Sequence, residues 1–105
     1  MSSHSWFLYL IRTRQGALYA GITVDVEKRL AEHTHGKKGA KYLRAKGPLQ
    51  LVYAVEVGNR SLTSKAEYRI KRLTKSQKES VVASAPSRDE LLRYLKLETI
   101  KPEEQ

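Results

Sequence analysis

Tyr9, Tyr19, Arg29, His33 and Glu67 are the residues whose types and order could act together on a phosphodiester. A guanidinium such as that of Arg29 grips a phosphate through two hydrogen bonds and stabilises the charge of a pentavalent transition state. An imidazole such as that of His33 takes or gives a proton near neutral pH. A phenol ionises only near pH ~10 unless a neighbouring cation lowers its pKa. A single carboxylate suits Mg²⁺, which keeps most of its waters and completes its shell from substrate phosphate. Two-metal chemistry needs several clustered acids, and the sequence has no such cluster. Each residue also has an ordinary structural explanation. The tyrosines could be plain strand residues, Arg29 a solvated charge and His33 a helix-edge imidazole. Glu67 could simply pair with Lys71 one helical turn on, worth roughly 0.3–0.5 kcal/mol. His33-Thr34-His35 is a weak metal pattern, with no cysteine or nearby acid to complete a shell.

The elements that must position these groups are legible in outline. Residues 6–12, Trp-Phe-Leu-Tyr-Leu-Ile-Arg, form a nearly continuous apolar run, which predicts a central strand buried on both faces. A turn at Thr13–Gly16 leads to a partner strand over 17–23. If Tyr9 lies opposite Tyr19, the connecting loop has an odd length, for example three or five residues. Both phenols then share one face, since cross-strand partners do. Gly21, two residues beyond Tyr19, shares that face without a side chain, which predicts an opening for a phosphate or a helix.

Asp25 or Thr23 caps a helix over about 26–34, with Arg29 and His33 four apart on one side. A basic, glycine-containing loop follows at 35–39, then a short helical turn over 40–46, ended by Gly47-Pro48. Residues 49–57 read as a third strand. Ser61 caps a helix to about Leu73, with Leu62, Ala66, Ile70 and Leu73 as its buried stripe. Thr74 with Gln77, and Ser87 with Glu90, have capping-box spacing and open helices to about Ser84 and Leu95. Residues 1–5 are expected to be flexible and 98–105 to form a polar tail.

These 105 residues fit one domain, over 6–97. With no cysteine there is neither disulfide nor thiolate metal site, in keeping with a cytoplasmic protein. No apolar run reaches membrane-spanning length and no signal peptide is apparent. The net charge of +9 is concentrated centrally, where Lys28–Lys78 holds fourteen Lys or Arg against three acids. Such a patch fits a polyanion better than a membrane surface, because its helices lack a broad aromatic–leucine face.

The order of these residues resembles the catalytic framework of GIY-YIG endonucleases, and within it the small stand-alone bacterial group. The first family triplet falls on Phe7-Leu8-Tyr9 and keeps its tyrosine. The second falls on Tyr19-Ala20-Gly21 and keeps its outer residues. The helix arginine falls on Arg29, the position four later on His33, and the metal glutamate on Glu67 within Ala66-Glu67-x-x-Ile70-Lys71. Gly36–Arg44 resembles the basic loop of the stand-alone group. A lysine that some relatives carry after the second-triplet glycine is Ile22 here. The resemblance spans about residues 6–82 and is silent on the last helix.

It implies an α+β fold, a small three-stranded antiparallel sheet flanked by helices. It also implies metal-dependent hydrolysis of DNA with one Mg²⁺ or Mn²⁺ ion on Glu67. Arg29 would stabilise charge, and Tyr19, Tyr9 or His33 would accept the proton, Tyr19 being favoured. Gly21, Lys37, Lys38, Lys41, Tyr42 and Arg44 would meet the nucleic acid, by stacking and salt-sensitive phosphate contacts. The expected partner is DNA, with RNA left open, and no obligate protein partner is evident. Preference for single-stranded or branched substrates with little sequence specificity, in repair or recombination near the nucleoid, completes the expectation. The competing reading is a non-catalytic nucleic-acid-binding module on the same fold.

Overall fold

The structure is a computed structural model that describes residues 5–34 and 48–97. Three strands form one antiparallel sheet in the order β2-β1-β3, with β1 at Trp6–Arg12, β2 at Leu18–Thr23 and β3 at Gln50–Gly58. The long apolar run takes the central place because Leu8, Tyr9, Leu10 and Ile11 are all buried. A strand covered on both faces needs apolar residues at odd and even positions alike. The pairing of β1 with β3 shifts register between Trp6 and Phe7 and again between Leu10 and Ile11, and such irregularities increase local twist.

The two faces of the sheet have different jobs. The even positions Leu8, Leu10 and Ala20, with Tyr53 and Val57 of β3, enter the main core. Four helices complete the described fold: α1 (Val26–Thr34), α2 (Arg60–Lys71), α3 (Lys75–Ser84) and α4 (Arg88–Tyr94). Ala66 and Ile70 of α2, Val81 of α3, and Leu91 and Leu92 of α4 meet that core face. The odd positions Tyr9, Ile11, Tyr19 and Gly21 lie on the opposite face, which α1 reaches through His33.

Helix ends follow local hydrogen bonding. Asp25 caps α1, its Oδ1 accepting from Lys28 N at 3.1 Å, while Thr23 Oγ1 accepts from Asp25 N. Both predicted capping boxes are present, Thr74 with Gln77 and Ser87 with Glu90. The cap of α2 differs from expectation. Asn59, not Ser61, caps it by accepting from Leu62 N at 2.8 Å, so the helix starts at Arg60. Asparagine caps at least as well as serine, and here it comes first along the chain.

Long-range polar contacts lock the later helices onto the sheet. Arg12 forms a two-pronged pair with Glu79 of α3, at 2.6 and 2.9 Å, and Lys75 Nζ donates to Gly16 O in the β1–β2 turn. The last helix is held by Arg88 Nε donating to Val57 O at 2.5 Å, Tyr53 Oη to Pro86 O at 2.7 Å and a guanidinium nitrogen of Arg69 to Leu95 O at 2.8 Å. Among the described residues no helix is long and apolar enough to cross a membrane.

Candidate active site

The β1–β2 hairpin decides which groups can meet. Tyr9 pairs with Gly21 and Ile11 with Tyr19 across it, and Arg12 pairs with Leu18. The connection Thr13–Ala17 therefore has five residues, closed by Thr13 N to Ala17 O at 2.9 Å, with Gly16 at φ 91° inside the turn. The odd loop keeps Tyr9 and Tyr19 on one face, as the parity argument requires. They are offset by one pair rather than directly opposed. Because the five-residue loop sits at 13–17, with Arg12 paired to Leu18, the partner of Tyr9 is Gly21 and not Tyr19.

That offset changes the reading of Gly21. A Cβ at this position would overlap the Oη and Cζ atoms of Tyr9. The space expected to admit a phosphate is filled by the ring of Tyr9, and Gly21 is buried. Among the described glycines a positive φ occurs at Gly16 and Gly58. The glycine at 21 thus answers a steric demand of Tyr9 and not a backbone one.

Tyr9 is the hub of the site. Its hydroxyl lies 3.0 Å from Nε2 of His33, which is fully buried, and Arg29 is near enough to pull its pKa down. Which of the two donates follows the tautomer of the imidazole. Burial lowers the His33 pKa and the charge of Arg29 lowers it further, against a smaller raising effect of Glu32. Burial raises the Tyr9 pKa, Arg29 pulls against it, and Tyr19 and Glu67 add to the rise. Tyr9 is therefore a neutral, buried phenol at neutral pH. Tyr19, only partly buried, stands edge-on to His33 with ring centroids 5.8 Å apart.

Arg29 is held from its own helix. Its guanidinium pairs with Glu32 at 2.9 Å, and the hydrogen bond to Glu32 is the main reason its pKa is raised. Sequence reasoning passed over Glu32, although its i,i+3 spacing from Arg29 was the available signal. A shallow groove of about 310 Å³ runs beside this pair, lined among others by Trp6, Lys28, Arg29 and Glu32.

Glu67 arrives from α2, which turns Ala66 and Ile70 into the core. The next position is rotated about 100° and comes to the edge of that packed face. Its carboxylate is 3.1 Å from Lys71 Nζ, the ordinary i,i+4 pair, yet its charge is also felt at the Tyr9 hydroxyl. Among the described residues no group of three His, Cys, Asp or Glu side chains could enclose a metal ion. These residues therefore make no all-protein cage, and a hard cation on Glu67 would need waters and substrate oxygens for the rest of its shell. Lys37, Lys38, Lys41, Tyr42 and Arg44, expected to bind nucleic acid, lie outside the described residues.

Comparison with known proteins gives a consistent picture. Residues 5–80 match the family described as the GIY-YIG catalytic domain. The chain is 56% identical over 96 residues to the UPF0213 protein YhbQ of Escherichia coli K12, covering 91% of this chain and 95% of the relative. A solution NMR structure of a UPF0213 protein from Bacillus halodurans is 34% identical with a TM-score of 0.50, covering 76% of this chain and 84% of that one. A second NMR structure, of a protein from E. faecalis, is 30% identical with a TM-score of 0.54 and covers 95% of both chains.

Proposed function

This chain belongs to the GIY-YIG catalytic domain family, whose fold is of nuclease type, and from that premise we propose that it cleaves phosphodiester bonds in DNA with the help of one divalent metal ion. The observation that carries the reading is the Tyr9 hydroxyl 3.0 Å from the buried His33 Nε2, with Tyr19 edge-on to the same imidazole and Arg29 one helical turn before it on α1. Surface charges gathered for solubility alone have no need of a buried phenol–imidazole pair at their centre.

In this reading Arg29 grips the non-bridging oxygens of the scissile phosphate and stabilises their charge as the attacking water adds. Glu32, already on the guanidinium, fixes its direction. Tyr9 and His33, joined by their hydrogen bond beside Arg29, would help to orient the guanidinium and stay uncharged at pH 7. Their burial leaves Tyr19 as the better-placed acceptor of the water proton. Glu67 would hold Mg²⁺ or Mn²⁺, which supplies charge neutralisation at the phosphate and lowers the pKa of nearby acids. Low sequence preference follows from cations that address phosphate oxygens more than base edges. A cytoplasmic, nucleoid-associated role in repair or recombination, on single-stranded or branched DNA, is part of the same proposal.

The test is cleavage of labelled single-stranded, duplex and branched DNA in Mg²⁺, Mn²⁺ or EDTA, by wild type and Glu67→Gln. The reading expects metal-dependent products from the wild type, none from the variant, and undiminished DNA binding by both in EDTA. Tight binding without cleavage by the wild type on every substrate would make the chain a binding module instead.

A further inference from the structure

Tyr68, next to Glu67 on α2, is 60% exposed. Two i,i+4 pairs run side by side along this helix. One is Glu67 with Lys71, and the next row around is Tyr68 with the Arg72 guanidinium 5.5 Å from its ring centroid. An exposed cation–π contact is weak. It leaves much of an aromatic ring facing water, on a helix whose packing does not need it. The ring also borders a surface groove of about 390 Å³ formed with Ser64, Lys65, Arg69 and Leu97. Arg69 spends one guanidinium nitrogen on the Leu95 carbonyl, so its position is set by the fold.

An open aromatic face beside Lys65 and Arg72 matches one occupant in both charge and shape. Single-stranded nucleic acid offers a π-face at every base and a phosphate on either side of it, and sequence-tolerant binders combine these two contacts. A double helix keeps its base faces stacked on one another and cannot use the ring. We propose that Tyr68 is a stacking subsite for an unpaired nucleobase, with Lys65 and Arg72 on the adjoining phosphates. Placing this base on the strand whose scissile phosphate meets Arg29 rests on the hydrolytic reading above. The subsite itself does not. Tyr68 directly follows Glu67 but is rotated about 100° around α2, so the stacked base would lie on the helix face neighbouring that of Glu67.

The experiment measures binding of fluorescently labelled oligonucleotides in EDTA by anisotropy, for wild type, Tyr68→Ala and Tyr68→Phe. Tyr68→Ala should bind single strands about 5- to 150-fold more weakly, the range for one lost base–aromatic stack. Tyr68→Phe should bind like wild type, and duplex affinity should not change. An oligonucleotide carrying one abasic site, moved along the strand, should at one position reproduce the loss with wild type and show no further loss with Tyr68→Ala. An RNA strand behaving in the same way supports the subsite equally. Wild-type affinity in Tyr68→Ala, or an equal loss on duplex and abasic strands, overturns it. The two proposals fail separately. Base-dependent binding without metal-dependent cleavage removes the hydrolytic reading and keeps the subsite. Cleavage with no effect of Tyr68 does the reverse.

Discussion

Replacing Gly21 by alanine tests the central packing claim, that the ring of Tyr9 occupies the space above this residue. The backbone would welcome the change. Gly21 does not share the positive φ of Gly16 and Gly58, and Gly→Ala at a compatible position stabilises by about 0.4–1 kcal/mol through the unfolded state. The steric consequence is opposite in sign and larger. The new Cβ would overlap two atoms of a phenol that is 3% exposed and has no room to swing away. Overpacking costs about 1–3 kcal/mol. Displacing the Tyr9 hydroxyl from His33 Nε2 leaves a buried polar group unmatched, at a further cost of about 1–3 kcal/mol. The net expectation is a loss of about 1–5 kcal/mol, with a central value near 3. In a domain of this size that central value lowers the melting temperature by roughly 10–30 °C. The assay is a double-mutant cycle by thermal or urea melting. Tyr9→Phe removes Oη but keeps the overlapping ring carbon, so it should not rescue Gly21→Ala. Tyr9→Leu removes both, and in that background Gly21→Ala should be neutral or slightly stabilising. A Gly21→Ala protein melting within about 3 °C of wild type would refute the reasoning. So would an equal loss in the Tyr9→Leu background.

Arg29→Ala should lower the cleavage rate by about 10²–10³ in a single-turnover assay, and Arg29→Lys should recover little because an ammonium lacks the planar fork that Glu32 and phosphate would share; equal rates for Arg29→Lys and wild type would reduce Arg29 to a steering charge. The His33 pKa is lowered on folding, so its contribution is present above the unfolded value of about 6.5 and is lost as pH falls below it; melting temperature against pH should show this acid-side decline, and His33→Gln should flatten it. Glu79, whose pKa Arg12 holds down at about 2 from 4.5, contributes above pH 4.5 and loses that contribution as pH falls toward 2; Glu79→Gln should remove this lower step and leave the one at His33. Neutralising Lys37, Lys38 and Lys41 together should weaken binding to all single-stranded sequences alike and flatten the slope of log affinity against log salt by about 2 units; an unchanged slope would move the binding surface to α2 and α3.

Much of this protein is written in signals that act over a few residues. The apolar run at 6–12 specifies a central strand because both of its faces must leave water. Thr74 with Gln77, and Ser87 with Glu90, start helices because each pair satisfies backbone donors within one turn. The five residues between Arg12 and Leu18 set the parity that places both tyrosines on one face. The order Tyr9, Tyr19, Arg29, His33, Glu67 carries the family.

What only the tertiary structure decided concerns groups distant in sequence. Tyr9 meets His33 across 24 residues, and that contact distinguishes a buried hub from the more accessible Tyr19, although both are strand tyrosines by sequence. Gly21 looked like an opening because no local feature says which ring will lie over it. The last helix finds its place through Arg88 on Val57, Tyr53 on Pro86 and Arg69 on Leu95, contacts that no spacing within the helix encodes. Burial, and the pKa shifts that follow from it, depend on everything packed around a group. A cap or a hairpin parity depends only on the nearest few residues, which is why those were legible in the sequence and the state of each proton was not.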